Sequence, residues 1–302
     1  MGVNVTDAVA APTRTGWATR WMRPLAVSSL VVNILIVVTG GVVRLTGSGL
    51  GCPTWPHCEG GSFVPHRALG IHGAIEFSNR MVTFLLAAVA IATLVAALRY
   101  GRPAIVRLAV LLALGVPAQA VIGGITVLTE LNPWIVAFHL LVSLAMIGVA
   151  VLLLRQLAEG DGPATRTVPD GVAWLVRATF ISGWAVLYVG TVVTGSGPHA
   201  GSALAPRNGL DPRALSQLHT DVVFLLVGLT IAAVLVLRTL NAPERAQRAA
   251  VVLLLVELAQ ATIGFLQYFT GLPVVLVSFH LLGAALLSAA MTWLLLGIRD
   301  RA

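Results

Sequence analysis

No lysine occurs among the 302 residues, although lysine and arginine together number 19, so every side-chain ammonium is missing and arginine carries all the basic charge. Charged residues of both signs amount to only 10% of the chain, whereas soluble domains carry about 25%. That scarcity excludes a chain of two or three water-soluble domains, and the absence of lysine argues against a nucleic-acid grip built from many flexible ammonium groups. Cysteine is scarce too, with Cys52 and Cys58 the only two. What the chain has in excess is apolar: 57% of residues are hydrophobic and the mean hydropathy is +0.91. This suffices for roughly eight spans of about 20 residues, each crossing a hydrocarbon layer of about 30 Å.

Uninterrupted apolar runs near 24–44, 78–98, 104–128, 134–155, 172–194, 215–237, 247–269 and 274–297 predict an all-α integral membrane protein with eight transmembrane helices. The first run lies too far from the start, and is too poorly followed by small residues, to be a cleaved signal peptide, so it counts as a span. Residues 1–21 read as a cytoplasmic N-terminal tail. Arginine placement supplies orientation, because cytoplasmic loops hold the excess of positive charge. With the N-terminus inside, Arg14, Arg20, Arg23, Arg99, Arg102, Arg107, Arg155, Arg166, Arg177, Arg238, Arg245, Arg248, Arg299 and Arg301 fall on the cytoplasmic side. Only Arg44, Arg67, Arg80, Arg207 and Arg213 fall outside. A multi-pass protein of a bacterial cell membrane with both termini cytoplasmic follows, and the pI near 10.9 is mostly an orientation signal.

The chain also repeats itself. At a shift of 141, Ala118-Gln119-Ala120 falls on Ala259-Gln260-Ala261, Ile122-Gly123 on Ile263-Gly264, and Phe138-His139-Leu140-Leu141 on Phe279-His280-Leu281-Leu282. Thr46-Gly47-Ser48-Gly49 echoes Thr194-Gly195-Ser196-Gly197, and Phe84-Leu85-Leu86 falls on Phe224-Leu225-Leu226 at a shift of 140. Two pseudo-symmetric four-helix bundles are therefore expected, one over 22–156 and one over 172–298, joined by a cytoplasmic linker at 157–171. An even number of helices per unit preserves orientation, so the repeats run parallel.

Ionisable and imidazole groups at membrane depth are costly and mark sites. His139, His219 and His280 each stand near the non-cytoplasmic start of a span, at one depth. Two imidazoles on facing helices suit axial ligation of a porphyrin iron, and His219 with His280 supply such a pair. A zinc site is weaker, since closed zinc sites want four ligands. In the first half the partner of His219 is Asn79, a poor iron ligand, with Glu76 and His72 on the same stripe of the helix. His72 lies about 10 Å along the helix from Asn79 and cannot simply replace the missing ligand. One histidine, a nearby carboxylate and an open position suit a reaction site; the plain alternative is an interfacial ion pair between Glu76 and Arg80. Cys52 and Cys58 lie in an outer loop, Gly-Cys-Pro-Thr-Trp-Pro-His-Cys over 51–58, where the compartment is oxidising and a disulfide is the default. A metal site with His57 and free thiols are the alternatives, and the spacing is not that of covalent haem attachment. Glu257, deep in the seventh span, has no role assigned.

These residues together resemble the haem A synthase family of bacteria and mitochondria, over about residues 22–298. The resemblance rests on Gly40-Gly41-Val42-Val43-Arg44-Leu45-Thr46-Gly47-Ser48-Gly49, the Cys52 and Cys58 loop, Glu76-x-x-Asn79-Arg80, Gln119 with Gly123, and His139, His219 and His280. It implies an oxidoreductase that converts a methyl group of haem O to the formyl group of haem A through a hydroxymethyl intermediate, for terminal oxidases. It further implies that His219 and His280 hold haem b, that His139 contacts the iron of the substrate haem, and that Glu76 is the acidic residue needed for activity. Cys52 and Cys58 match the family's loop pair. Asn79 is a departure, since many members carry a second histidine there. Arg44, Arg80 and Arg213 are candidates for holding haem propionates, with interfacial anchoring the alternative. Expected partners are haem O, the farnesylating haem O synthase upstream, an electron donor and membrane lipid, with no nucleic acid; a homo-oligomer is compatible with the sequence. A non-catalytic b-type cytochrome explains His219 and His280 equally well but not Asn79 and Glu76. A two-halved transporter would place its polar groups nearer the midplane.

Overall fold

A computed structural model describes residues 16–58, 60–64 and 70–301. The elements are α1 (Gly16–Leu45), α2 (Gly70–Tyr100), α3 (Pro103–Leu128), α4 (Pro133–Ala158), β1 (Ala164–Arg166), α5 (Asp170–Ser196), α6 (Pro212–Thr239), α7 (Glu244–Phe269), α8 (Val274–Gly297) and β2 (Arg299–Arg301). All eight helices are long and apolar enough to cross a membrane. The protein is thus an all-α, eight-span, multi-pass membrane protein. Proline opens α3, α4 and α6, where its missing N–H costs nothing. Asn132 and Asp211 cap α4 and α6, their side chains accepting from the N–H of Trp134 and Arg213. The repeat reaches into the turns: Glu130 and Leu131 between α3 and α4 have φ of 53° and 62°, and Gly271 and Leu272 between α7 and α8 have 77° and 61°. The second copy uses glycine where the first places Glu130 in the left-handed region, at a steric cost.

The first helix corrects one expectation. α1 begins at Gly16, so residues 16–21 of the expected tail are helical and only the stretch 1–15, with Arg14, lies outside the described residues. Trp17 stacks beneath the Arg99 guanidinium at 5.5 Å, which ties this early turn to the end of α2. α2 also starts earlier than hydropathy suggests, because residues 70–77, where His72 and Glu76 interrupt the apolar run, are helical as well. His66 and Arg67 lie outside the described residues.

Within each half, consecutive helices pack and the ring closes, α1 on α4 and α5 on α8. The halves meet where α8 packs on α1 and α4, and where α4 packs on α5. Buried Ser288 of α8 donates to the carbonyl of Leu144 in α4 at 2.7 Å across that seam. Alanines 96, 97, 109 and 150 let the first-half helices approach closely around Met22, Ile105 and Leu112. Outward residues such as Ile181 and Phe269, 65% and 77% exposed, form the lipid-facing surface. At the end holding the inter-half linker, β1 pairs antiparallel with β2. Arg102 grips Asp161 at 2.8 Å, and Asp300 accepts from Arg245 at 3.1 Å. The linker is therefore stapled to the C-terminal strand rather than loose.

Candidate functional site

In the second half His219 sits on α6 and His280 on α8, diagonal helices of one ring. Their ring centres are 6.4 Å apart with planes at 75°. An iron bound by both Nε2 atoms needs ring centres about 6.2 Å apart, from two bonds of about 2 Å and about 1.1 Å from each nitrogen to its ring centre. The Nδ1 of His280 is buried without a hydrogen-bond partner, and the His219 ring lies within reach of the backbone of Val186 in α5. Each ring rests on a glycine: a Cβ on Gly190 of α5 would lie 3.1 Å from Cε1 of His219, and one on Gly264 of α7 3.6 Å from Cε1 of His280. Gln260 donates to the carbonyl of His280 at 2.9 Å. These residues fit a bis-imidazole group such as haem b.

The first half reproduces one side of this arrangement and alters the other. Gln119 donates to the carbonyl of His139 at 3.1 Å, and a Cβ on Gly123 would lie 3.2 Å from Cε1 of His139, whose Nδ1 is again buried without a partner. Diagonally opposite, on α2, Asn79 accepts through Oδ1 from the Thr39 hydroxyl of α1 at 2.7 Å. The Gly-x-Val-Val of α5 that presents Gly190 recurs in α1 as Gly40-Gly41-Val42-Val43, yet nothing lies within 4 Å of a Cβ on Gly40. Where the second half holds a ring, the first half has space. A cleft of about 120 Å³ opens there, lined by Gly40, Gly41, Arg44 and His139, and closed from the other half by Thr191 and Leu281. Leu281, next to His280 in sequence, is the side chain that a Cβ on Gly41 would strike at 2.5 Å, so the two halves touch between the two sites.

At the end of the first half away from the β1–β2 pair lies the loop between α1 and α2. Cys52 and Cys58 form a disulfide. Glu76 is only 5% exposed, and both its oxygens are engaged: Oε2 accepts from the Cys52 N–H, Oε1 from Arg80 at 2.6 Å. Arg80 also donates to the carbonyls of Thr54 and Pro56 at 3.2 Å and of His57 at 3.4 Å. The Trp55 indole lies on Gly124 of α3, where a Cβ would come within 2.4 Å of Cδ2. His72 is 2.9 Å through Nδ1 from the Ser48 hydroxyl, at the exposed head of α2.

Of the three arginines expected near propionates, two have their guanidinium groups on backbone. Arg44 donates to the carbonyls of His199 at 2.7 Å and Thr194 at 2.9 Å, tying α1 to the second half, and Arg80 holds the loop. Arg213 stands exposed at the start of α6. The roles of Trp55, Thr39, Gly40 and Gly190 are not visible in the sequence pattern. A glycine at one repeat-equivalent level beside each histidine is the signal that could have found Gly190.

The fold and site define an eight-span helical membrane protein with a paired-imidazole centre in one half and a single imidazole beside a cleft in the other. The family of cytochrome oxidase assembly proteins, COX15-CtaA, matches residues 23–292, and the chain belongs to it. Relatives named heme A synthase are 34% identical over 148 residues in Geobacillus thermodenitrificans, covering 47% of this chain and 45% of that protein, and 31% identical over 180 residues in Lysinibacillus sphaericus, covering 58% of each. The chain thus matches about half the length of these two. A heme A synthase of Bacillus cereus is 26% identical over 303 residues, covering 93% of this chain and 95% of that protein.

Proposed function

We propose that this protein is a haem A synthase, an oxidoreductase that oxidises a methyl group of haem O to a formyl group through a hydroxymethyl intermediate. The observation that carries this reading is the contrast between the halves: two imidazoles 6.4 Å apart in one, and in the other His139 beside a cleft, with Asn79 on the diagonal helix where the repeat would put a second imidazole. The names of the relatives and the family membership support it.

The bundles at 22–156 and 172–298 are then the substrate half and the electron half. His219 and His280 hold haem b, whose contribution when bound is one-electron transfer, since a doubly ligated iron has no position left for substrate. Gln260, Gly190 and Gly264 orient the two rings. His139 contacts the iron of haem O, and Gln119 fixes its backbone. Asn79, held by Thr39, leaves the opposite face without a strong ligand. Glu76 serves from the outer mouth of this half, together with the Cys52–Cys58 loop. Arg213 is the arginine best placed to meet a propionate of haem b, because its guanidinium is exposed. Both termini are cytoplasmic, consistent with the arginine-rich end where β1 meets β2. Haem O reaches the protein from the farnesylating haem O synthase, and a separate donor supplies electrons.

The test is co-expression with a haem O source, followed by extraction and separation of haems. Haem A is expected in cells with the intact protein and not in cells with the His139→Ala variant. Bound haem without haem A from the intact protein would favour a b-type cytochrome.

A further inference from the structure

We propose that Trp55 is the fixed wall of the haem O pocket, closing the first bundle on its α2–α3 side, and that Glu76 and Arg80 are positioning residues that hold it there. The inference rests on the haem A synthase reading and concerns which side chain shapes the substrate site.

Three observations carry it. Gly123 and Gly124 are successive residues of α3, about 1.5 Å apart along the axis and about 100° apart around it. The first carries the His139 ring and the second carries the Trp55 indole, so both rings lie at one level of the bundle. A Cβ on Gly124 would fall 2.4, 2.6 and 2.8 Å from Cδ2, Cε2 and Cγ of Trp55, meaning that the fused ring lies flat on bare backbone. Trp55 is also held from its own side: Arg80 binds the carbonyls of residues 54, 56 and 57, and Glu76 binds both Arg80 and the N–H of Cys52. The disulfide then closes the loop around the residue so held. Finally, the wall and the opening are on different sides. The cleft that His139 lines opens between α1 and α4 toward the second half, whereas Trp55 lies on α3, in the loop that Arg80 of α2 holds.

The second half has no such wall. Its outer loop between α5 and α6 folds back on α5 through Asn208, whose side chain donates to the carbonyl of Val192 at 2.8 Å, and it contains neither cysteine nor tryptophan. The half with a complete imidazole pair lacks the wall, and the half with one imidazole has it. An indole face suits a porphyrin edge or face by stacking and by excluding water, and it would stop the macrocycle level with His139.

Purified protein is titrated with haem O and followed by absorbance, and haem A formation is measured in co-expressing cells. Trp55→Ala is expected to raise the Kd for haem O or to lower haem A formation by tenfold or more, with the absorbance of the His219/His280 haem unchanged. Trp55→Phe should recover wild-type behaviour to within threefold. Gly124→Ala, which leaves the loop sequence intact and pushes the indole off α3, should reproduce the Trp55→Ala defect and carries the test if that variant does not fold. Trp134→Ala, an exposed indole on α4, should stay within twofold. Affinity and conversion within twofold of wild type for both Trp55→Ala and Gly124→Ala would overturn the wall. Wild-type protein that makes no haem A in the same cells would instead overturn the haem A synthase reading.

Discussion

At the scale of single residues, the side chains divide by whether their hydrogen-bonding capacity is spent inside the protein. Glu76 and Arg80 satisfy each other and the loop backbone, whereas the Nδ1 atoms of His139 and His280 are buried without a partner. His219→Ala and His280→Ala should each abolish the low-spin haem spectrum of the purified protein, while His139→Ala leaves it intact; the visible spectrum decides. Glu76→Ala should lower haem A formation at least tenfold, because it frees Arg80 and the Cys52 N–H together. Full conversion by that variant would remove Glu76 from the reaction. The sequence alone offered a reactive carboxylate and an i, i+4 ion pair as alternatives for Glu76. The ion pair is present, and the additional bond to Cys52, 24 residues away, is what connects it to the site.

Among elements, the repeat was legible because glutamine, glycine and histidine recur at fixed offsets on α3–α4 and α7–α8, and their contacts recur with them. How closely a glycine approaches its ring was not legible. Gly190→Ala puts a methyl 3.1 Å from the His219 ring, too close without a shift, whereas Gly264→Ala puts one at an ordinary 3.6 Å from His280. The haem-to-protein ratio after purification should therefore fall in Gly190→Ala and stay within twofold of wild type in Gly264→Ala. At the opposite end, β2 tests a charge argument. The hydrogen bond from Arg245 holds the Asp300 carboxyl below its ordinary value of 3.8. A carboxyl depressed in the folded state stabilises above its unfolded pKa and loses that contribution as pH falls through its folded one. The Tm of wild type should exceed that of Asp300→Asn near neutral pH, and the two should converge on acidification below about pH 4.

The whole molecule depends on the seam between the halves. Arg44 crosses it to the carbonyls of Thr194 and His199, Ser288 crosses it to Leu144, and Leu281 fills the space over Gly41. Replacing Arg44 with methionine removes two charge-assisted hydrogen bonds and should destabilise the protein by about 2–3 kcal/mol, seen as a lower Tm. Eight spans, the internal repeat and the place of Asn79 at the repeat-equivalent position of His219 were legible in the sequence itself, because hydropathy and spacing are local quantities that a chain displays before it folds. The early start of α1 escaped that reading, since Trp17, Arg20 and Trp21 are too polar or too bulky for a hydropathy window yet helical once Arg99 lies over Trp17. The 6.4 Å between His219 and His280, the use of Arg44 as a tie between halves, and the seating of Trp55 on Gly124 were decided by tertiary structure. Each is a contact between residues dozens of positions apart, up to 155 for Arg44 and His199, and such contacts exist only after the helices have packed.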